Sequence, residues 1–245
     1  MRLNNRYIGC NFTGNAFIGG VDSSYSGIFN KEEVLIESGI GDYIPCMIGD
    51  ISDAYELLKN KLTENNATNF SDICTCIYDT VNTYFGGFNN IKTRMSYYKD
   101  LDEIESEEDI GKVSSLKGKG AAMCVERAML SQNLLQSLGF KSFYKTSAIK
   151  NNNKPEIHAY NLLEHNNEYY IFDTSLPNYI DGKINPLIAS IPKKVYESIS
   201  SPKQREGCSV SVSHYNPIRN KDIEIIYDAG RNDIYYVEND NIKKK

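Results

Sequence analysis

No stretch of the 245-residue chain approaches the ~18 uninterrupted apolar residues of a membrane span, so no membrane partner is expected. The first residues, MRLNNRYIGCNFTGN, lack an apolar core, and no secretory leader is read there. A cytoplasmic protein is the expectation. Positive charge is also short: 27 Lys and Arg face 32 Asp and Glu, for a net charge of −5. That balance argues against a general nucleic-acid or anionic-membrane binder, and the terminal run Lys243-Lys244-Lys245 reads as a solvated tail. Six cysteines are present, but Cys74 and Cys76 are too close for zinc spacing and no second pair completes a site. Without a leader they read as reduced thiols, with Cys74 and Cys76 as small hydrophobes on a helix. The chain has no tryptophan and only three histidines, so a search for catalytic imidazole is short.

What is present is ordinary for a globular chain: 40% hydrophobic and 24% charged residues. The length allows a core without metal or disulfide staples. Residues 1–50 read as an N-terminal extension of short strands and turns, and 51–245 as one domain. Helical spacing of Ala54, Leu57, Leu58 and Leu62 predicts a helix over 50–63 with Ser52 as its cap. A second is predicted over 70–84, ended by Gly86-Gly87, and a third from Met123 to Leu138 with Gly139 just beyond it. The acidic segment 100–112 reads as a solvated helix or loop, without the glycine and glutamate spacing of a calcium loop. Strand-like runs follow at 141–149, 157–164, 168–173, 209–213, 223–228 and 234–238. A helix before consecutive, mostly antiparallel strands gives an α+β class.

Asn166-Asn167 between two strand runs suits a two-residue hairpin turn. If His165 and Glu168 flank it, residues whose numbers sum to 333 face each other, so Tyr160 opposes Asp173 and His158 opposes Ser175. Period-two alternation puts His158 and Asp173 on one face as diagonal neighbours. A carboxylate there can hold the imidazole tautomer and stabilise imidazolium. Cys124 supplies the missing nucleophile. It opens a helix behind the Gly-rich approach KGKGAAM, where the macrodipole favours thiolate and free N–H groups can serve an oxyanion. Cys124, His158 and Asp173 are therefore the candidate nucleophile, general base and orienting carboxylate. His165, in the turn, is expected to be solvated, and His214 has only Asp222 or Asp228 as possible partners. Glu126 and Arg127 suggest an ion pair or a substrate contact, although Arg127 opposes the helix dipole.

These pieces resemble the transglutaminase-like superfamily, which includes transglutaminases, bacterial cysteine proteases and amidases, and peptide N-glycanases. The matching segments are GKGAAMCVERAMLSQNLLQSLGF, HAYNLL and EYYIFDTS, within residues 118–178. His158 follows Cys124 by 34 positions and precedes Asp173 by 15, which suits that family. Where the family often has tryptophan after His-Ala, this chain has Tyr160. The resemblance implies a Cys-bearing central helix packed on an antiparallel β-sheet. It implies a Cys124-His158-Asp173 triad that hydrolyses a peptide, protein or small amide substrate through a thioester, without cofactor or metal. Asn89, Asn90 and Tyr97 are the upstream polar candidates for an oxyanion side chain. Other readings start from the same residues. Cys124-Val125-Glu126 behind glycines is also similar to arylamine N-acetyltransferases. A catalytically silent module that binds a peptide or protein, and metal-assisted hydrolysis at the three residues, are the others.

Overall fold

The structure is a computed structural model. It describes residues 7–11, 18–20, 24–30, 34–37, 43–88, 90–102, 111–151, 154–180, 183–194, 209–216, 221–228, 235–238 and 241–244. Five short strands come first: β1 (Tyr7–Asn11), β2 (Ile18–Gly20), β3 (Ser24–Tyr25), β4 (Val34–Glu37) and β5 (Tyr43–Met47). Helices α1 (Ser52–Glu64), α2 (Phe70–Phe85) and α3 (Ile91–Asp102) follow, then β6 (Gly111–Lys112), a 3-10 turn and helix α4 (Cys124–Ser137). Next come β7 (Lys141–Asn151), β8 (Lys154–His165), β9 (Glu168–Phe172), β10 (Asn178–Ile180), β11 (Lys183–Asn185) and β12 (Leu187–Pro192). The last strands are β13 (Ser209–Asn216), β14 (Lys221–Asp228), β15 (Tyr235–Glu238) and β16 (Asn241–Lys244). The class is α+β. No helix among the described residues is long and apolar enough to cross a membrane.

The main sheet runs β12-β9-β8-β7-β14-β13, with every pairing antiparallel. The far edge of β7 is shared, with β3 against Tyr144 and Lys145 and β14 against Ile149 to Asn151. At the chain ends, β1 pairs with β15. The β8–β9 hairpin turns at Asn166 and Asn167, with φ of 50° and 62°, the left-handed pair that a tight hairpin needs. Its ladder runs from His165↔Glu168 to Asn161↔Phe172, which is the register expected from the sequence. Paired strands stop there. The expected directly opposed pairs Tyr160/Asp173 and His158/Ser175 lie beyond the last rung.

Asn69 caps α2, its side chain accepting from the Asp72 N–H at 2.9 Å, and Gly86 ends it at φ 75°. Cys74, Ile77 and Val81 on the inner face are fully buried, and burial pushes the Cys74 thiol up to about 12. The expected Ser52 cap on α1 is a correction. Ile51 holds the cap position with no side-chain bond, and Asp50 Oδ1 instead accepts from the Ser52 N–H at 2.9 Å. Asp50, two residues ahead, forms the local turn that Asp favours. Helix α3 was not expected. It carries residues 100–102 of the acidic segment, Gly111–Lys112 is strand, and 103–110 lies outside the described residues.

Helix α4 is buried on all sides from Glu126 to Leu135, as a helix sandwiched between two layers should be. Several of its buried polar side chains bond within the fold, whereas Arg127 Nη1 is buried without a hydrogen-bond partner among the described residues. The Gln132 amide donates to Gly27 O and Ser142 O, and Asn133 bonds both the N–H and C=O of Phe29. The Asn161 amide on β8 donates to Ala128 O at 3.1 Å, tying helix to sheet. Gly139 closes the helix at φ 80°, with Phe140 N–H donating back to Leu135 O. The main core fills the space between the helices and one sheet face. A smaller cluster of Tyr160, Leu162, Tyr169, Ile171, Leu176 and Ile188 lies apart from it.

Candidate active site

Cys124 owes its position to a clamp between two helix ends. The last carbonyls of α2 lack intrahelical partners, and the loop before α4 supplies them. Gly118 N–H donates to Tyr84 O at 2.8 Å, and Gly120 N–H to Phe85 O at 2.6 Å. Both glycines take positive φ, 69° and 63°. Gly86 faces this loop so closely that a Cβ there would sit 2.8 Å from Gly118 O. Four residues after Gly120 the chain enters α4, and the half-buried Cys124 is its first residue. A helix start of this kind presents unpaired N–H groups and favours an anion.

His158 is buried on β8, and its Nε2 lies 2.6 Å from Asp173 Oδ2. Cys124 acts on the same ring and favours its charged form. Asp173 is itself held from behind. Its Oδ1 accepts from Ser175 N–H (2.8 Å), Ser175 Oγ–H (2.7 Å) and Leu176 N–H (3.0 Å). Burial alone would raise its carboxyl, but His158, Ser175 and Leu176 outweigh burial and hold it below the usual range. For His158, burial opposes the charged form, yet the Asp173 carboxylate and Cys124 prevail and raise the imidazole well above its ordinary value. The arrangement can accept a thiol proton and keep it. Tyr160 lies nearly parallel to the His158 ring, centroids 6.3 Å apart.

A second buried pair stands in the first turn of α4, two residues from Cys124. Glu126 is fully buried and receives Arg94 Nε–H at 2.7 Å and Tyr98 O–H at 3.0 Å on Oε1, and the Met123 N–H at 3.1 Å on Oε2. The expected partner Arg127 is not bonded to it. Arg127 instead donates to Ala122 O (3.0 Å) and Gly87 O (2.5 Å), with its guanidinium 3.3 Å from the Phe88 ring centroid. It staples the α2 exit to the α4 entry, which explains a cation placed against the dipole.

The remaining candidates have structural partners. Asn90 Oδ1 accepts from Thr93 N–H at 3.3 Å, and the Tyr97 hydroxyl bonds both the N–H and C=O of Lys112. Asn89 lies outside the described residues. His165 is not merely solvated: it stacks on Phe70 with centroids 3.9 Å apart and planes 6° off parallel. His214 pairs with Ile223 along β13, and its side chain lies outside the described residues. Among the described residues, no three His, Cys, Asp or Glu side chains group so as to hold a metal ion. Sequence reasoning missed Arg94, Tyr98 and the Ser175 contact. The Glu126 position three residues inside the cap was the available signal, since a glutamate there reaches back to the cap N–H. Compared with models of known protein families the chain matches none, and a search of curated proteins finds no match.

Proposed function

We propose that the chain is a transglutaminase-like, cysteine-dependent acyl-transfer enzyme that hydrolyses a peptide or other amide bond. The observation that carries this reading is the buried 2.6 Å His158–Asp173 contact, with Cys124 favouring the charged form of the same imidazole. In the reaction, Cys124 Sγ bonds to the amide carbonyl carbon while its proton passes to His158. The carbonyl oxygen becomes an oxyanion beside the N–H groups at the start of α4. Collapse breaks the C–N bond, and His158 returns the proton to the leaving amine. Water, losing a proton to His158, then opens the thioester to a carboxylic acid and restores the thiol. Asp173 keeps the imidazole oriented throughout. The four described free cysteines fit a reducing compartment such as the cytoplasm.

The test is turnover of a panel of peptides and small amides by the full chain and by Cys124→Ala. Hydrolysis should vanish in the variant, with its melting temperature nearly unchanged, and an acyl adduct should be trapped on Cys124 of the parent. Cleavage that survives Cys124→Ala contradicts the reading. Acetyl-coenzyme A turnover would favour the arylamine N-acetyltransferase alternative, and inertness to every substrate the silent binding module.

A further inference from the structure

Outside the Cys124-His158-Asp173 set, the carboxylate of Glu126 is a fully buried group with three hydrogen-bond donors. It sits two residues from Cys124 in the first turn of α4 and has no exposure. An unpaired carboxylate there would oppose a thiolate on Cys124 through a medium of low dielectric. It is not unpaired. Arg94, 7% exposed, reaches it from α3 with Nε 2.7 Å from Oε1, and its guanidinium lies 5.0 Å from the centroid of the Tyr98 ring. The Tyr98 hydroxyl donates to the same oxygen and lies 3.7 Å from Cys46 Sγ. Cys46, on β5, is no competing nucleophile, because burial first and Glu126 second push its thiol up.

We propose that Glu126 and Arg94 are positioning residues for Cys124: Glu126 fixes the first turn of α4 through the Met123 N–H, and Arg94 cancels the charge that this fixing brings. This inference rests on the reading of Cys124 as a nucleophile. It assigns helix α3 a part in the site that no spacing in the sequence announces. Among the described residues, the groups that bear on the thiol include His158 from β8 with Asp173 behind it, Glu126 from α4, Arg94 from α3, and the Tyr144 hydroxyl from β7. Tyr144 and Arg94 each interact electrostatically with Cys124. Two carboxylates there oppose a thiolate, and each has a bonded partner: Asp173 with His158 and Glu126 with Arg94.

A purely structural pair and a charge-setting pair separate by the sign of their variants. The rate of Cys124 alkylation by iodoacetamide, followed by peptide mass spectrometry between about pH 5 and 9, reads the thiolate fraction in the full chain. Glu126→Gln keeps the acceptor for Met123 N–H but leaves Arg94 uncancelled, so its alkylation midpoint should fall by about one pH unit, about tenfold in rate near pH 6. Arg94→Met leaves the carboxylate uncancelled, and its midpoint should rise by a similar amount. The double variant Arg94→Met/Glu126→Gln should return near the parent value. If Arg94→Met does not fold, Glu126→Gln and the double variant still decide the question. Folded variants whose midpoints stay put, or move in the same direction, overturn this inference and leave the triad standing. A parent Cys124 that alkylates like an ordinary thiol removes the nucleophile reading, and this inference with it.

Discussion

The protein has two buried ion pairs near the start of α4 and the end of the β8–β9 hairpin, and they are built in different ways. His158 and Asp173 are 2.6 Å apart, His158 on β8 and Asp173 one residue past the end of β9, 15 residues apart in sequence. Arg94 and Glu126 are 2.7 Å apart and come from two helices, 32 residues apart. The first pair contains an imidazole whose charged form Asp173 favours, and its carboxylate has three further donors on Oδ1. The second joins a guanidinium to a carboxylate that also closes a helix start. A hairpin register brings the first pair together, and helix packing the second.

Breaking each pair should therefore cost something different. Asp173→Asn keeps the shape of the first pair but loses the charge and the tautomer it selects. Amide turnover should fall by about 10³–10⁴-fold while the fold persists, as a kinetic assay beside circular dichroism would record. Gly86→Ala leaves both pairs intact and attacks the clamp between them. Its Cβ meets the Gly118 backbone at 2.8 Å and the φ of 75° is unfavourable for Ala. A loss of about 1–3 kcal/mol in denaturant unfolding is expected, with slower Cys124 alkylation.

The pairs also separate by pH. The raised His158 value means that its stabilisation is complete below about pH 6.5 and is lost as pH rises through the folded-state value. The lowered Asp173 value means that its share is complete above about pH 3.9 and is lost as pH falls through the folded-state value. Urea unfolding of the parent should thus exceed that of His158→Ala most between about pH 4 and 6.5, and the difference should shrink on both sides. Smallest is Asn69→Ala. It removes the cap of α2 far from either pair, costing about 1 kcal/mol in thermal unfolding and nothing in turnover.

The same contrast explains what could be read in the sequence. The β8–β9 register was legible because Asn166-Asn167 and period-two alternation are local signals, and one turn sets every rung down to Asn161↔Phe172. Helices α1, α2 and α4 were legible from apolar spacing, and Gly86 and Gly139 from their place after it. Helix α3 was not, because the residues it buries include Arg94 and Tyr98, which carry no apolar stripe. Arg127 looked misplaced for a related reason: its partners, the carbonyls of Ala122 and Gly87, are backbone groups that no residue pattern displays. Asp50 took the role expected of Ser52 because either side chain can serve the same turn.

The central claim is that Cys124 is an activated thiol because His158 and Asp173 stand beside it. The most direct measurement is the rate of Cys124 alkylation against pH in the full chain and in His158→Ala, read cysteine by cysteine. The account predicts that Cys124 labels well below the pH of about 8.5 at which free thiols react, ahead of buried Cys46, Cys74 and Cys76, and that His158→Ala abolishes the advantage. Identical profiles in the two proteins, both those of an ordinary thiol, would contradict it.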